Sequence, residues 1–315
     1  MKLSITDIVR RGFDNVIANW PLILIRIAEG LLFLLIVVVS VVAAIVPVVM
    51  SIGLNRFDPA DVDDGAQLLA AILIEHWPLL LYLFALVTVM LLAFIVIHSF
   101  VEAGCAAVYV GGERRVPATS RIPSYARNDF RVFTGELWFR GGRQSWWQVF
   151  WIYNIAWGVA GLIILIPLVL CAVVMLMLRE TPGAMAVTGC LGMVLALLIL
   201  IVVGVITAIW CQKAIVVTAA TRAGAASSLR TAWTQFTADA GRHVAVAVIM
   251  YAIMMAGIFL LSTFSAFTNL SDSAAFTLAI LPMQIISSFV NTVFSAFVQS
   301  WFLACFAGLT VEASR

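Results

Sequence analysis

Six stretches of the chain run apolar for about twenty residues or more. They are Pro21–Met50, Trp77–His98, Trp147–Leu178, Val187–Cys211, His243–Phe264 and Ala279–Phe302. About 20 apolar residues, rising 1.5 Å each along a helix, cross the hydrocarbon core of a bilayer. The pattern predicts an all-α polytopic membrane protein with six transmembrane helices arranged as three hairpins. The first and third stretches are long enough to tilt, or to continue as helix beyond the lipid. Pro47 and Pro167 fall near the far ends of these two, where a membrane helix tolerates proline or kinks at it. Lys2, Arg10 and Arg11 look like the head of a signal peptide, but the apolar run after Pro21 is too long for one, so an uncleaved first helix is expected.

Each hairpin is preceded by a segment of mixed character with helical period. In the first, Ile5, Ile8, Val9, Phe13, Val16, Ile17 and Trp20 share one face, and Asp7, Arg10, Arg11, Asp14 and Asn15 share the other. In the third, Leu229, Trp233, Phe236 and Ala240 form the stripe, against Arg230, Gln235 and Asp239. The middle one, Pro123–Trp138, carries Phe130, Phe133 and Leu137 less regularly. Basic amphipathic helices with aromatic residues lie flat at a membrane interface. We expect that placement for all three, over the alternative that they pack on one another as a core outside the lipid.

Apolar–Arg pairs open these segments (Val9–Arg10, Phe130–Arg131, Leu229–Arg230), and breakers close them at Asn19–Trp20–Pro21, Gly141–Gly142 and Gly241. The even spans end alike, on runs of small residues at 103–107, 218–220 and 304–308, followed by Arg114, Arg222 and Arg315. Small residues let helix backbones approach closely in lipid. The chain therefore reads as a single membrane domain, 1–315, built from repeats 1–120, 121–225 and 226–315. Two spans per repeat insert every copy the same way, unlike the inverted repeats typical of alternating access.

Composition closes off other classes. Of the 315 residues, 63% are hydrophobic and 11% charged, against about 45–50% and 25% in a soluble domain. The formal net charge of +2 gives no argument for a nucleic-acid partner. The placement of charge says more. Lys2, Arg10, Arg11, the arginines between 114 and 143, Lys213, Arg222, Arg230, Arg242 and Arg315 fall on one side of the spans. Only Arg56 and Arg179 fall on the other. Basic loops stay cytoplasmic, so the expected location is the cell inner membrane, with both termini in the cytoplasm. The loop Ser51–His76, with Asp58, Asp61, Asp63, Asp64 and Glu75, then lies outside.

This layout of six spans, amphipathic leading helices and small-residue exits resembles a group of bacterial membrane proteins. The group includes the YciC-like family and the membrane domain of some glycerophosphodiester phosphodiesterases. The resemblance covers the whole chain and rests on layout. It implies an integral inner-membrane protein linked to envelope or lipid homeostasis. The soluble phosphodiesterase barrel and its metal ligands have no counterpart here, so no catalytic residue carries over.

Candidate chemistry is sparse. Cys105, Cys171, Cys190, Cys211 and Cys305 form no C-x-x-C and read as small packing residues. No H-E-x-x-H, G-x-S-x-G or P-loop occurs. Gly111–Gly112 and Gly141–Gly142 read as turns in loops. Trp138, Trp146, Trp147, Trp151 and Trp157 read as an interfacial belt. Asn154, Gln284 and Asn291 are thin lining for a hydrophilic conduit.

Ionisable residues within spans carry a functional hypothesis by default. Arg26 and Glu29 stand at i,i+3, and His98 and Glu102 at i,i+4. Gln212, Lys213 and Gln299 stand near the ends of their spans, and the small-residue exits align Ser99 with Gln212 and Gln299. The plainer reading, which we prefer, is helix ends meeting water and one another. The sharper one is a headgroup site of Arg26, Glu29, His98, Glu102, Gln212, Lys213 and Gln299 at the cytoplasmic mouth. There Lys213 and Arg26 would hold a phosphate or carboxylate, with Glu102 as counter-charge.

The expected function is non-enzymatic: binding of membrane lipids, or else of other membrane proteins, in envelope homeostasis or assembly, with no cofactor. The alternative is a small transporter or channel with a polar cytoplasmic mouth. Topology is directly testable. Reporter fusions within 51–76 and 178–185 should report the outer side and fusions within 99–146 the cytoplasm, and a cytoplasmic signal from either of the first two would overturn the assignment.

Overall fold

A computed structural model describes residues 3–52, 77–116, 128–178, 181–266 and 274–315. Its long elements among these residues are α-helices: α1 (Ile5–Ala18), α2 (Pro21–Ile52), α3 (Trp77–Arg115), α4 (Gly135–Met177), α5 (Pro182–Thr221), α6 (Ala225–Ala238), α7 (Ala240–Ala266) and α8 (Ala274–Ala313). All but α1 and α6 are long and apolar enough to cross a membrane. The chain is an all-α, multi-pass membrane protein. The expected outer loop from 53 to 76, with its aspartates, lies outside the described residues. So do Arg121, Arg127, Arg179 and the Pro123 end of the middle amphipathic segment.

Local chemistry sets the breaks. Ser4 caps α1 by accepting the Asp7 N–H at 3.1 Å, and the Asp7 carboxylate accepts the Ser4 N–H in return. The helix stops at Asn19, and Pro21, which has no N–H to satisfy, opens α2. The break between α6 and α7 comes at Asp239, two residues before the expected Gly241, which sits inside α7.

The middle segment departs from expectation. Thr134 caps α4 through the Leu137 N–H, and α4 then runs 43 residues to Met177, through Gly141–Gly142 and Pro167. At 1.5 Å per residue it is about 65 Å long, twice the hydrocarbon thickness. Leading helix and span are fused here. Gly141 and Gly142 are not turn residues. A Cβ on Gly141 would lie 2.4 Å from the Ala107 Cβ, and one on Gly142 would lie 2.8 Å from the Phe100 ring. The pair is a notch into which α3 packs. Gly111 and Gly112 are likewise helical, in α3.

Two compact units divide the chain. The first, Arg26–His98, holds α2 from Arg26 onward and α3 up to His98. The rings of Phe33 and Phe94 lie 3.9 Å apart, and the Tyr82 hydroxyl donates to the Ala43 carbonyl at 3.0 Å. The second unit holds residues up to Ile25 and from Ser99 onward. Its core is built from the small-residue exits and their neighbours: Ala103, Cys105, Ala106 and Tyr109 of α3, Ala214 and Ile215 of α5, Leu303 to Ala307 of α8. Outward faces stay apolar, as lipid requires, with Leu162, Ile166 and Leu170 of α4 and Leu191, Leu195 and Leu198 of α5 exposed.

The amphipathic α1 is covered by protein on both sides. On its apolar side, Phe13 packs edge-on against Phe297 and Trp301 of α8 at 5.7 and 5.2 Å. Trp301 donates its indole N–H to the Val9 carbonyl at 2.8 Å. On its polar side Arg11, Asp14 and Asn15 are buried, while Arg10 stays exposed. By contrast α6 buries Leu229, Ala232 and Phe236 and leaves Trp233 exposed.

Gly12 sets the approach of α1 to α8. A Cβ there would lie 2.6 Å from the Cys305 sulfur and 3.0 Å from its backbone nitrogen, which cannot move aside. Overpacking of this kind costs about 1–3 kcal/mol. At Gly204 in α5 nothing lies within 4 Å of such a Cβ, and alanine favours a helix over glycine by roughly 0.5–1 kcal/mol. Thermal unfolding in detergent should therefore show Gly12→Ala below the parent protein and Gly204→Ala at or above it. The reverse order would contradict the α1–α8 packing.

Candidate functional site

The candidate residues separate between the two units. Arg26, Glu29 and His98 belong to the Arg26–His98 unit, where the His98 Nδ1 meets a Glu29 carboxylate oxygen at 2.7 Å and the Phe94 ring stacks on the imidazole. Glu102, Gln212, Lys213 and Gln299 belong to the larger unit. There Glu102 and Lys213 are buried, Gln212 is half-buried and Gln299 is exposed. One residue on, Ser300 takes the inward position, with a buried hydroxyl that meets no partner among the described residues. The helical rotation of α8 thus shifts the expected alignment by one residue.

Two polar clusters occupy the end of the larger unit that carries both termini. The first surrounds the polar stripe of α1. Arg11 donates to Glu113 of α3 from Nε at 3.3 Å and from Nη2 at 3.0 Å, with both side chains at most 5% exposed. Asn15 donates to the Tyr109 carbonyl at 3.0 Å. Asn19 donates to the Phe130 carbonyl at 2.9 Å and accepts the N–H groups of Val132 and Phe133 at 3.0 and 2.9 Å. That side chain pins the extended stretch 131–134 that leads into α4. Arg315 donates to the carbonyls of Glu113 and Val116. Every named group here has a partner, so the cluster is structural.

The second cluster is incomplete. At the start of α7, the Arg242 guanidinium donates to Asp239 at 2.9 Å, to Glu312 of α8 at 2.7 Å and to the Leu3 carbonyl at 2.8 Å. Glu312 also accepts the Leu3 N–H at 2.8 Å. The His243 Nδ1 meets the Asp239 carbonyl at 2.9 Å, with its ring held between Phe236 and Phe306. A carbonyl only accepts, so Nδ1 carries the proton and Nε2 of the neutral ring presents a lone pair. Asp239, Arg242, His243 and Glu312, with Thr234, Gln235, Ala238, Leu309 and Ala313, line a cleft of about 310 Å³.

Lys213 of α5 does not line it but is fully buried within electrostatic reach of three residues that do, Glu312, Asp239 and Arg242. The counter-charges are these carboxylates, where the sequence suggests Glu102. The Lys213 ammonium, the Arg242 Nε–H, the His243 Nε2 and the Gln235 Oε1 meet no partner among the described residues. Sequence reading placed His243 at a span end and Asp239 on a polar face without joining them. The available signal was the run Asp239, Arg242, His243 at i, i+3 and i+4 across a helix junction. Glu312 could not be connected to it, because that contact spans 70 residues.

Compared with known proteins, the chain matches no family model, no curated protein and no solved structure.

The first cluster is accessible to mutation. Removing one partner of a buried ion pair leaves the other charge uncompensated, at about 3–5 kcal/mol. Glu113→Ala should lower the midpoint of thermal unfolding sharply, and Arg11→Met combined with Glu113→Leu should recover most of the loss. A double variant as unstable as Glu113→Ala would show that the pair itself, not the stranded arginine, carries the effect.

Proposed function

We propose that this multi-pass membrane protein resides in the cell inner membrane with both termini cytoplasmic and binds membrane lipid, in support of envelope homeostasis or assembly rather than catalysis. The observation that carries this reading is the second polar cluster. A cleft lined by Arg242, His243 and Gln235, each with an unmet buried polar atom, lies within electrostatic reach of the fully buried Lys213, on a protein whose outward helix faces are apolar. An acyl chain following the apolar face of such a helix brings its headgroup to that level of the bundle. The amides deeper in the spans support the same reading over a conduit. Asn154 spends its side-chain N–H on the Phe150 carbonyl of its own helix, and Asn291 is half-buried.

The test is lipid retention. Full-length protein extracted from native membranes and exchanged through detergent should retain phospholipid, read by mass spectrometry of the intact complex, and should move no solute across vesicle walls. Complete loss of phospholipid on exchange would refute lipid binding, and solute flux would favour the transporter alternative. His98→Ala and Glu102→Ala, where each accumulates normally, should complement a deletion strain. Failure to complement at normal abundance would point to chemistry in the spans.

A further inference from the structure

The second cluster lacks hydrogen-bond partners rather than charge. Lys213 and Arg242 are balanced by Asp239 and Glu312, and both carboxylates already engage Arg242. Glu312 spends its other oxygen on the Leu3 N–H. What remains unmet is specific in kind. Lys213 Nζ and Arg242 Nε are cationic donors, whereas His243 Nε2 and Gln235 Oε1 are acceptors. His243 lines the cleft and is 3% exposed, and Lys213 is 0% exposed. Buried polar atoms are almost always paired, so three unmet ones on residues of the cleft wall, with Lys213 in electrostatic reach of that wall, call for a ligand carrying both complements.

That inventory selects among headgroups. A phosphate supplies acceptor oxygens for the Arg242 Nε–H and negative charge within electrostatic reach of Lys213. A doubly charged monoester would put two negative charges into a cluster that already balances, whereas a diester brings one. An ammonium headgroup would need a carboxylate, and both are engaged. A hydroxyl supplies the proton that His243 Nε2 and Gln235 Oε1 each lack. Building on the lipid-binding reading above, we propose that the cleft between α6, α7 and α8 binds a phosphodiester whose alcohol carries hydroxyl groups, with Arg242 facing the phosphate, Lys213 adding its charge from within the protein, and His243 and Gln235 accepting from the hydroxyls.

The experiment is a titration of the full chain in detergent, followed by mass spectrometry of the intact complex, with three probes. Phosphatidylglycerol has the charge and the hydroxyls. Phosphatidylmethanol has the same charge and no hydroxyl. Glycerophosphoglycerol has the headgroup and no acyl chains. The parent protein should bind phosphatidylglycerol about tenfold tighter than phosphatidylmethanol, the worth of one or two hydrogen bonds. Gln235→Leu and His243→Phe should each shrink that preference, and Lys213→Met should weaken both lipids alike. Equal binding of the two lipids by the parent protein overturns the proposal without needing any variant to fold. Unchanged binding by Lys213→Met also overturns it. If both lipids bind equally but phospholipid is retained on purification, lipid binding stands and this assignment fails. Glycerophosphoglycerol binding as tightly as the lipid would uphold the headgroup chemistry and identify a soluble ester as its source.

Discussion

The ion pair between Arg11 and Glu113 is the contact on which the larger unit turns. Lipid tails are as apolar as leucine, so the hydrophobic effect does not press transmembrane helices together within the bilayer. Cohesion must come from close packing and from polar contacts where a helix meets protein. Here a guanidinium on α1 and a carboxylate on α3 are both removed from solvent. Such a pair adds little net stability, but it is costly to separate. Asn15 and Asn19 extend the same line of polar contacts, holding α1 to α3 and to the stretch that leads into α4. The opposite side of α1 is then committed to α8 through Phe13 and Trp301.

Beyond that line, packing follows residue size. In the core, alanines and cysteines such as Ala106, Ala214, Ala304 and Cys305 sit between valines and isoleucines and let helices close in, while the lipid-facing sides carry leucine, valine and isoleucine. The notch at Gly141–Gly142 illustrates the rule. Glycine inside a helix costs roughly 1 kcal/mol against alanine. The cost is offset when its bare backbone admits a neighbouring helix more closely than any side chain would allow.

The spans were legible in the sequence because their signal is local: an apolar run long enough to cross a bilayer announces itself. The capped start of α1 and the break at Asn19–Pro21 were legible for the same reason. Contacts between distant segments were not. The polar stripe of α1 looks like a face meant for water, and only Glu113 and the Tyr109 carbonyl, about a hundred residues away, make it an interior face. Glycine pairs carry no mark that separates a turn from a packing notch. Gln299 and Ser300 are adjacent, and a rotation of one residue decided which faced inward. Lys213 was picked out from its place in the chain, but its neighbours come from α7 and α8, and their assembly is a property of the fold.

The pairing of α1 with α8 also has a consequence for biosynthesis. Helix α1 packs on α8, which leaves the ribosome nearly three hundred residues later. At 5–20 residues per second, synthesis of the intervening chain takes roughly 15–60 seconds. Throughout that interval α1 has no α8 to cover Phe13, and the Leu3 backbone has no Glu312 or Arg242 to bind until both have been made. Until then α1 needs a conformation that tolerates an uncovered apolar face. The amphipathic pattern of α1 suits that waiting state as well as it suits the finished one.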